Sequence, residues 1–303
     1  MKIVGLGRAV MDYCVLVEKY PNVDEKTVAL DRYYGSGSPV VNAICQLAVF
    51  NCDTRLIAAI GGDRDGERFA ENIMGFGIDR DYLRIREQEA TPRAFIWVEK
   101  QSGRRTVVLD RDIAPLSPDE LPLNELESAN FLLIDGVEAD AAIAAAQIVR
   151  NAGGRTMLDA GAVREHMTEQ LALTDYLIVP VAFVREWFGA MDLFQACREL
   201  LATGPQLVVV TNGAAGSVAA WEDATQWFPA YPVKSVDTTG AGDLFHAGYL
   251  YGLTQEWSVE ECIRWASATA ALGTTALGGR GHLPTIEEVR ALLAESGESN
   301  TIS

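Results

Sequence analysis

The 303-residue chain is short of several things, and each shortage closes off a class of function. Its five cysteines (Cys14, Cys45, Cys52, Cys197 and Cys262) form no C-x-x-C pair, so neither a disulfide framework nor a zinc knuckle is expected. Three histidines, His166, His246 and His282, are too few for a His-rich metal centre. Nowhere do about eighteen apolar residues run together, and Arg8 and Asp12 interrupt the stretch that a secretory signal would need. A soluble, cytoplasmic protein is the expectation. Positive charge is scarce as well: 25 Lys and Arg against 42 Asp and Glu leave a formal charge of −17, a field that repels nucleic-acid backbones and anionic membrane surfaces. Neither partner is expected, and any anionic ligand needs a local device to hold it. No G-x-x-x-x-G-K-[ST] occurs, and the lysines (Lys2, Lys19, Lys26, Lys100 and Lys234) follow no glycine-rich strand end, which excludes a P-loop.

Against these shortages stands a regular alternation. A hydrophobic content of 49 % and a charged content of 22 %, with 27 glycines and 11 prolines, suit a globular chain and not a collagen-like, coiled-coil or disordered one. Short β-branched runs at 3–4, 56–57, 131–134, 156–158, 176–179 and 207–210 read as buried strands. Helical patterns at 39–50, 66–74, 140–151, 192–203 and 258–272 lie between them, which predicts an α/β fold: a doubly wound, mostly parallel sheet with helices on both faces. With no internal repeat and no low-complexity linker, a single domain over 1–303 is expected. Two stretches break the rhythm. Residues 15–34 and 93–109 are strand-like, Phe95 and Trp97 alternating with Ile96 and Val98, and a turn falls at Gln101-Ser102-Gly103. They are either an edge hairpin of the main sheet or a small β lid over a cleft, and the pattern leaves both open.

The most informative segment is 237–249, Asp-Thr-Thr-Gly-Ala-Gly-Asp-Leu-Phe-His-Ala-Gly-Tyr. Leu244, Ala247, Gly248 and Tyr251 recur at helical spacing, so Gly240-Ala241-Gly242 stands where a helix begins. Unpaired amides there, reachable because the residues are small, make a cradle for negative charge. Asp243 falls in the first turn, where a carboxylate is favourable, and beside such a cradle it is placed to take a proton from a substrate hydroxyl. The pairing suits phosphoryl transfer. An ordinary glycine-rich helix start is written with the same letters, so context has to decide.

That context is a set of segments in order. The D-T-T-G-A-G-D at 237–243 is continued by Leu244-Phe245-x-Ala247-Gly248. It is preceded by Gly35-Ser36-Gly37-Ser38-Pro39-Val40-Val41-Asn42-Ala43, by Ile60-Gly61-Gly62-Asp63-Arg64-Asp65-Gly66 and by Gly77-Ile78-Asp79. The strand 91–98, Gly103-Arg104-Arg105-Thr106 and Thr211-Asn212-Gly213-Ala214-Ala215-Gly216 complete it. Together these resemble the ribokinase-like (PfkB) carbohydrate kinases over almost the whole chain. The resemblance implies a ribokinase-like domain whose lid is formed by two insertions, about 13–36 and 91–112, and favours the lid reading over the edge hairpin. It implies transfer of the γ-phosphoryl group of ATP to a small carbohydrate, a ketose or furanose, with Mg2+, and a homodimer through the lid. Asp243 matches the catalytic base, and Gly240, Ala241 and Gly242 the anion hole. Asp12, Gly37, Ser38 and Asn42 match substrate-binding positions, and a carboxylate and an amide suit sugar hydroxyls, which need mixed donors and acceptors. Thr211, Gly213 and Gly216 match the turn lining the nucleotide site, and 268–279, ending at Gly279, the flank of the adenine. Asp237 and Thr239 match positions that help hold a monovalent cation such as K+ in some members.

Departures from the family pattern sharpen the expectations. Many members carry N-x-x-E after the strand written here as 176–179, whereas this chain has Pro180-Val181-Ala182-Phe183. Glu186, one helical turn further, and Asp159, which follows the strand at 156–158 with Arg164 nearby, remain as candidates for organising magnesium, chiefly through water. Each is also readable as a solvated residue or a surface ion pair. Ser38-Pro39, Phe245-His246 and Gly278-Gly279-Arg280-Gly281 draw the chain towards the ketohexokinase and sulfofructose-kinase side of the family. His246 either orients Asp243 or is a hydrogen-bonded core residue. Lys26 matches a lid position that meets an anionic group in the sulfofructose-kinase branch, while Arg32, Arg93, Arg104 and Arg105 read as solvated lid bases. Asp110 and Glu138 stand near where further anion donors would be expected, so a neutral ketose or polyol is favoured over an anionic sugar. Trp97, Trp187 and Trp265 read as core or interface aromatics. A nucleoside (adenosine-type) kinase is one alternative; a catalytically weak sugar-binding or regulatory homologue is the other, and the intact Asp243 and anion hole speak against it.

Overall fold

The structure, a computed structural model, describes residues 1–110 and 112–297. In chain order its strands are β1 (Lys2–Leu6), β2 (Val10–Val17), β3 (Asp31–Gly37), β4 (Asp53–Gly61), β5 (Leu83–Arg86), β6 (Arg93–Glu99), β7 (Arg105–Asp110), β8 (Phe131–Ile134), β9 (Arg155–Asp159), β10 (Tyr176–Pro180), β11 (Leu207–Thr211), β12 (Ser217–Trp221) and β13 (Ala224–Phe228). Nine of them form one sheet in the order β13-β12-β11-β10-β9-β8-β1-β4-β5, and the other four form a separate sheet, β3-β2-β6-β7. In the nine-stranded sheet β11, β10, β9, β8, β1, β4 and β5 are parallel; β12 and β13 close one edge as an antiparallel hairpin.

The uninterrupted apolar runs that mark the parallel strands follow from burial on both faces. Along β10 and β11, Ile178, Leu207 and Val209 enter one core while Leu177, Val179, Val208 and Val210 enter the other. Helices Pro39–Val49, Arg64–Met74, Ala241–Thr254 and Val259–Gly273 cover the first face; Ala139–Asn151, Val181–Phe188 and Leu193–Leu201 cover the second. Helix starts carry their own signals. Ser258 and Glu261 form a reciprocal capping box, as do Thr285 and Glu288 at the helix Ile286–Glu295. Glycine lets the helices Ala241–Thr254 and Val259–Gly273 lie close: a Cβ on Gly248 would stand 2.7 Å from Ala266 Cα. No helix among the described residues is long and apolar enough to cross a membrane.

Strand order reverses at β1, which lies between β4 and β8, and ligands of open parallel sheets gather at the C-terminal ends of strands beside such a reversal. The second sheet springs from that edge, because β2 begins four residues after β1 ends. The two irregular stretches therefore build a sheet of their own, a lid, and the edge hairpin of the main sheet is supplied instead by 217–228, which the sequence reading left unassigned. The lid strands begin at Val10, three residues ahead of the expected boundary, and the long link 18–30 between β2 and β3 is not strand. Ile96 and Val98 pack inward with Cys14 and Leu277, whereas Phe95 and Trp97 are 40 % and 45 % exposed on the outer face. Trp265 is core; for Trp97, exposed on the outer face, the core alternative falls and the interface alternative stays open.

Candidate active site

The helix Ala241–Thr254 starts where its sequence says it should, and the reason lies in two loops meeting without side chains between them. Gly240 has φ +81°, and a Cβ there would run into the carbonyl oxygen of Gly279. Asp237, fully buried, ties the loops: its Oδ1 accepts from the Thr239 amide at 2.9 Å and the Thr239 hydroxyl at 2.8 Å, and its Oδ2 from the Gly278 amide at 2.8 Å. Above the first turn lies open space, since a Cβ on Gly242 would meet no atom within 4 Å. No side chain therefore blocks the approach to Gly242 from that direction. Of the three expected cradle amides, that of Ala241 is instead taken by the Thr238 carbonyl at 3.3 Å, as the turn closes on itself.

Asp243 accepts a hydrogen bond from Asn42 Nδ2 at 2.7 Å, which joins the first turns of two helices 201 residues apart in sequence. Asp12, on β2, lies against Gly37 so closely that a Cβ at 37 would collide with its carboxylate. Ser38 then caps the helix Pro39–Val49 with φ 105°, a conformation costly for any residue but glycine and characteristic of functional sites. Ser38 Oγ and Asn42 Oδ1 are buried with no hydrogen-bond partner. Polar atoms left in that state expect a ligand or water to satisfy them. Burial raises the Asp12 carboxyl to about 7, Arg280 pulling it down and Asp243 and Asp237 pushing it up. Burial also raises Asp243, against the lowering effect of the Asn42 hydrogen bond and of His246 and Arg105.

Further along the C-terminal edge, Asp159 ends β9 and lies 3.4 Å from His246 Nδ1. Burial raises its carboxyl to about 7, with His246 opposing. His246 is buried, Nδ1 reaching the Gly242 carbonyl at 2.7 Å and Nε2 the Ile178 carbonyl at 3.1 Å, so it is the hydrogen-bonded core residue and also pins the first turn to the sheet. Glu186 does not join Asp159: it is exposed and accepts from the Val163 amide at 3.1 Å. Phe183 is core and stacks on Trp187. Among the described residues no three His, Cys, Asp or Glu side chains converge as a metal cage. Thr211 ends β11, and Gly213 (φ +54°) and Gly216 (φ +85°) shape the turn after it, closed by Asn212 N to the Gly216 carbonyl at 2.8 Å.

The lid bases separate sharply. Arg105 Nη1 donates to Thr238 Oγ1 at 3.2 Å, placing a cation over the 237–240 loop. Arg93 is committed to Asp65 at 2.5 Å and Asp63 at 3.2 Å, a pairing the sequence reading did not foresee. Lys26, expected at the substrate, lies exposed in the 18–30 link. Glu138, expected to repel an anion, is buried and neutralised by Arg8, with contacts at 2.8 and 2.7 Å. Asp110, the second such acid, is an exposed residue at the end of β7. Arg280 was legible only as an arginine among glycines, yet it is buried.

Residues 1–286 match the family described as pfkB family carbohydrate kinase. An ATP-dependent ribose-1-phosphate kinase of Halopiger xanaduensis is 26 % identical, the match covering 97 % of this chain and 99 % of that protein. A ribokinase of Haemophilus influenzae is 26 % identical over 95 % of this chain and 97 % of its own length. The structure of Arabidopsis thaliana ribokinase complexed with ribose and ATP superposes with a TM-score of 0.82, 26 % identity, and coverage of 96 % of this chain and 98 % of that one.

Proposed function

The chain belongs to the pfkB family of carbohydrate kinases and is an ATP-dependent sugar kinase, and we propose that Asp243 is its base and a neutral ketose or furanose its acceptor. The observation that carries the site assignment is the 2.7 Å bond from Asn42 to Asp243, with the unpartnered Ser38 Oγ and Asn42 Oδ1 beside it. The sugar hydroxyls lie against Asp12, Gly37, Ser38 and Asn42. Asp243 takes the proton of the reacting hydroxyl as its oxygen bonds to the γ-phosphorus; the bond from that phosphorus to the β–γ bridging oxygen breaks and ADP leaves. The amides at Gly240 and Gly242, with Arg105 above them, receive the charge on the transferring oxygens, and the lid keeps out water that would compete for the phosphoryl group. Ala241 shapes the turn. Thr211, Gly213, Gly216 and Gly279 line the nucleotide.

Three carboxylates, Asp12, Asp237 and Asp243, lie close enough on the sugar side to act on one another, which favours an uncharged acceptor. A nucleoside acceptor is the rival reading, supported by a nucleoside kinase of Methanothermobacter thermautotrophicus at 23 % identity. Asp243→Asn is expected to lower kcat by about 10²–10⁴ with ATP affinity unchanged, because the amide keeps the shape and cannot take the proton. The mutant and wild type are compared by ADP release over ketoses, aldoses, their phosphorylated analogues and nucleosides. Near-wild-type turnover removes Asp243 as the base, and a preference for nucleosides or phosphorylated sugars removes the neutral acceptor.

The raised carboxyl of Asp12 gives sugar binding a pH dependence of definite sign. Hydroxyl donors favour the carboxylate, so sugar affinity falls as pH drops through about 7, and binding near that pH releases a proton. Calorimetry in two buffers measures the proton; it persists in Asp243→Asn and vanishes in Asp12→Asn.

Magnesium enters with the nucleotide. When bound it would supply charge neutralisation of the phosphates. Asp159, a buried carboxyl that a nearby cation would ionise, fits a water-mediated contact better than Glu186, already held by Val163. Asp159→Ala then raises the magnesium needed for half-maximal rate and Glu186→Ala does not; equal effects refute the distinction. A monovalent cation at Asp237 and Thr239 rests on family resemblance, since both Asp237 oxygens already have protein donors.

The outer face of the lid supports a homodimer. Tyr13 packs on Tyr34 and Phe95, each at 5.6 Å between ring centres, and Trp97 and Val108 extend an apolar surface over open solvent. Trp97→Asp is expected to yield monomers in sedimentation; a wild-type chain that is itself monomeric at micromolar concentration rules the dimer out.

A further inference from the structure

The chemistry above uses the carboxylates of the site and not the cation buried beside them. Arg280 is 7 % exposed, and no carboxylate among the described residues forms an ion pair with it. Its Nη1 donates to Cys45 Sγ at 2.9 Å. Nη2 donates to the Ser36 carbonyl, to Ser36 Oγ at 2.5 Å and to Asn72 Oδ1 at 2.6 Å. The guanidinium also lies 5.4 Å from the centre of the Phe76 ring. These partners belong to three different walls. Ser36 stands between Gly35 and Gly37 on β3, the bed of Asp12; Cys45 follows Asn42 by one turn on the helix Pro39–Val49; Asn72 closes the helix Arg64–Met74. The residue just before Arg280, Gly279, packs on Asn42 Nδ2 and on Gly240.

We infer that Arg280 is a positioning residue for the sugar: one planar side chain fixes the β3 wall and the helix carrying Asn42 in register with the loop that bears the anion cradle. Its charge also acts on Asp12, where it is the principal influence opposing burial. A lysine cannot substitute, because acceptors on separate walls need the spread donors of a guanidinium. Satisfying Ser36 from behind leaves the front of the strand for hydroxyls, and truncation strands several buried acceptors at once. The inference rests on the reading of Asp12 and Asn42 as the sugar side, so Asp12→Asn is measured alongside.

The test is steady-state kinetics with sugar and ATP varied separately, together with thermal unfolding, for Arg280→Met, Arg280→Lys and Asn72→Asp. Both Arg280 variants are expected to raise the sugar KM by about tenfold or more, with kcat and the ATP KM changed by less than about threefold. Asn72→Asp keeps every donor of Arg280 but gives its charge a partner, and raises the sugar KM in the same direction by a smaller factor. If an Arg280 variant fails to fold, Asn72→Asp decides alone. A folded Arg280→Met or Asn72→Asp with a wild-type sugar KM, or with sugar and ATP KM rising together, overturns the inference. If Asp12→Asn also leaves the sugar KM unchanged, the sugar-side reading itself has failed; if it raises KM while the Arg280 variants do not, only the role of Arg280 is lost.

Discussion

Everything at this site depends on the contact between Gly240 and Gly279, where two backbones approach with room for hydrogen only. The first turn of the helix Ala241–Thr254 can present its amides because no side chain stands in front of them, and it can do so rigidly because Asp237 bonds to both loops. A carboxylate with three protein donors and no exposure is an internal brace. From that brace the remaining geometry follows in sequence. Gly279 carries the chain to Asn42, Asn42 reaches Asp243, and His246 holds the same turn to β10 through the Ile178 carbonyl.

Electrostatics then set the terms on which the site works. A chain of net charge −17 gathers Asp12, Asp237 and Asp243 in one region, and burial penalises the charged forms of Asp12 and Asp243. The compensation is local: Asn42 and His246 act on Asp243, and Arg280 on Asp12. Elsewhere buried carboxylates meet an arginine directly, as at Glu138 with Arg8 and Asp65 with Arg93. The contrast agrees with the proposed sugar side, around Asp12 and Asp243, as the place where charge is left for a ligand to meet.

Much of this was legible in the sequence, and the boundary of legibility has physical causes. Strands such as β8 and β11 announce themselves because both faces are buried and the residues, up to Thr211 at the end of β11, are apolar. The helix start at 240–243 is legible because backbone geometry there admits so few residue types. The hairpin 217–228 was missed because its inner positions, Ala219 and Ala220, are small and its outer ones mixed, so neither period stands out. Side-chain partners were the least visible. Arg93 and Arg105 look alike as letters in two lid strands, yet one is consumed by Asp63 and Asp65 and the other reaches Thr238. Glu138 looked like a free acid until Arg8, 130 residues away, was seen to cancel it. Periodicity reports which face is buried, not which distant charge waits there.

Lid and cradle are coupled by the same loop. The turn after β6 places Gly103 beside the Val236 carbonyl, at 3.5 Å from where its Cβ would be, and Arg105 bonds to Thr238, so the tip of the lid rests on residues on either side of Asp237. Covering the site removes water and, by itself, makes an ionised Asp243 harder to sustain. The residue that covers it brings a positive charge that works the other way. With Asp243 as the proposed base, closure would exclude the competing nucleophile without disabling it, and would add a cation beside the proposed anion cradle. Because Asp237 has already fixed the loop from beneath, the lid need only dock on a surface that is already formed, which keeps the conformational cost of closing to the ordering of the hairpin itself.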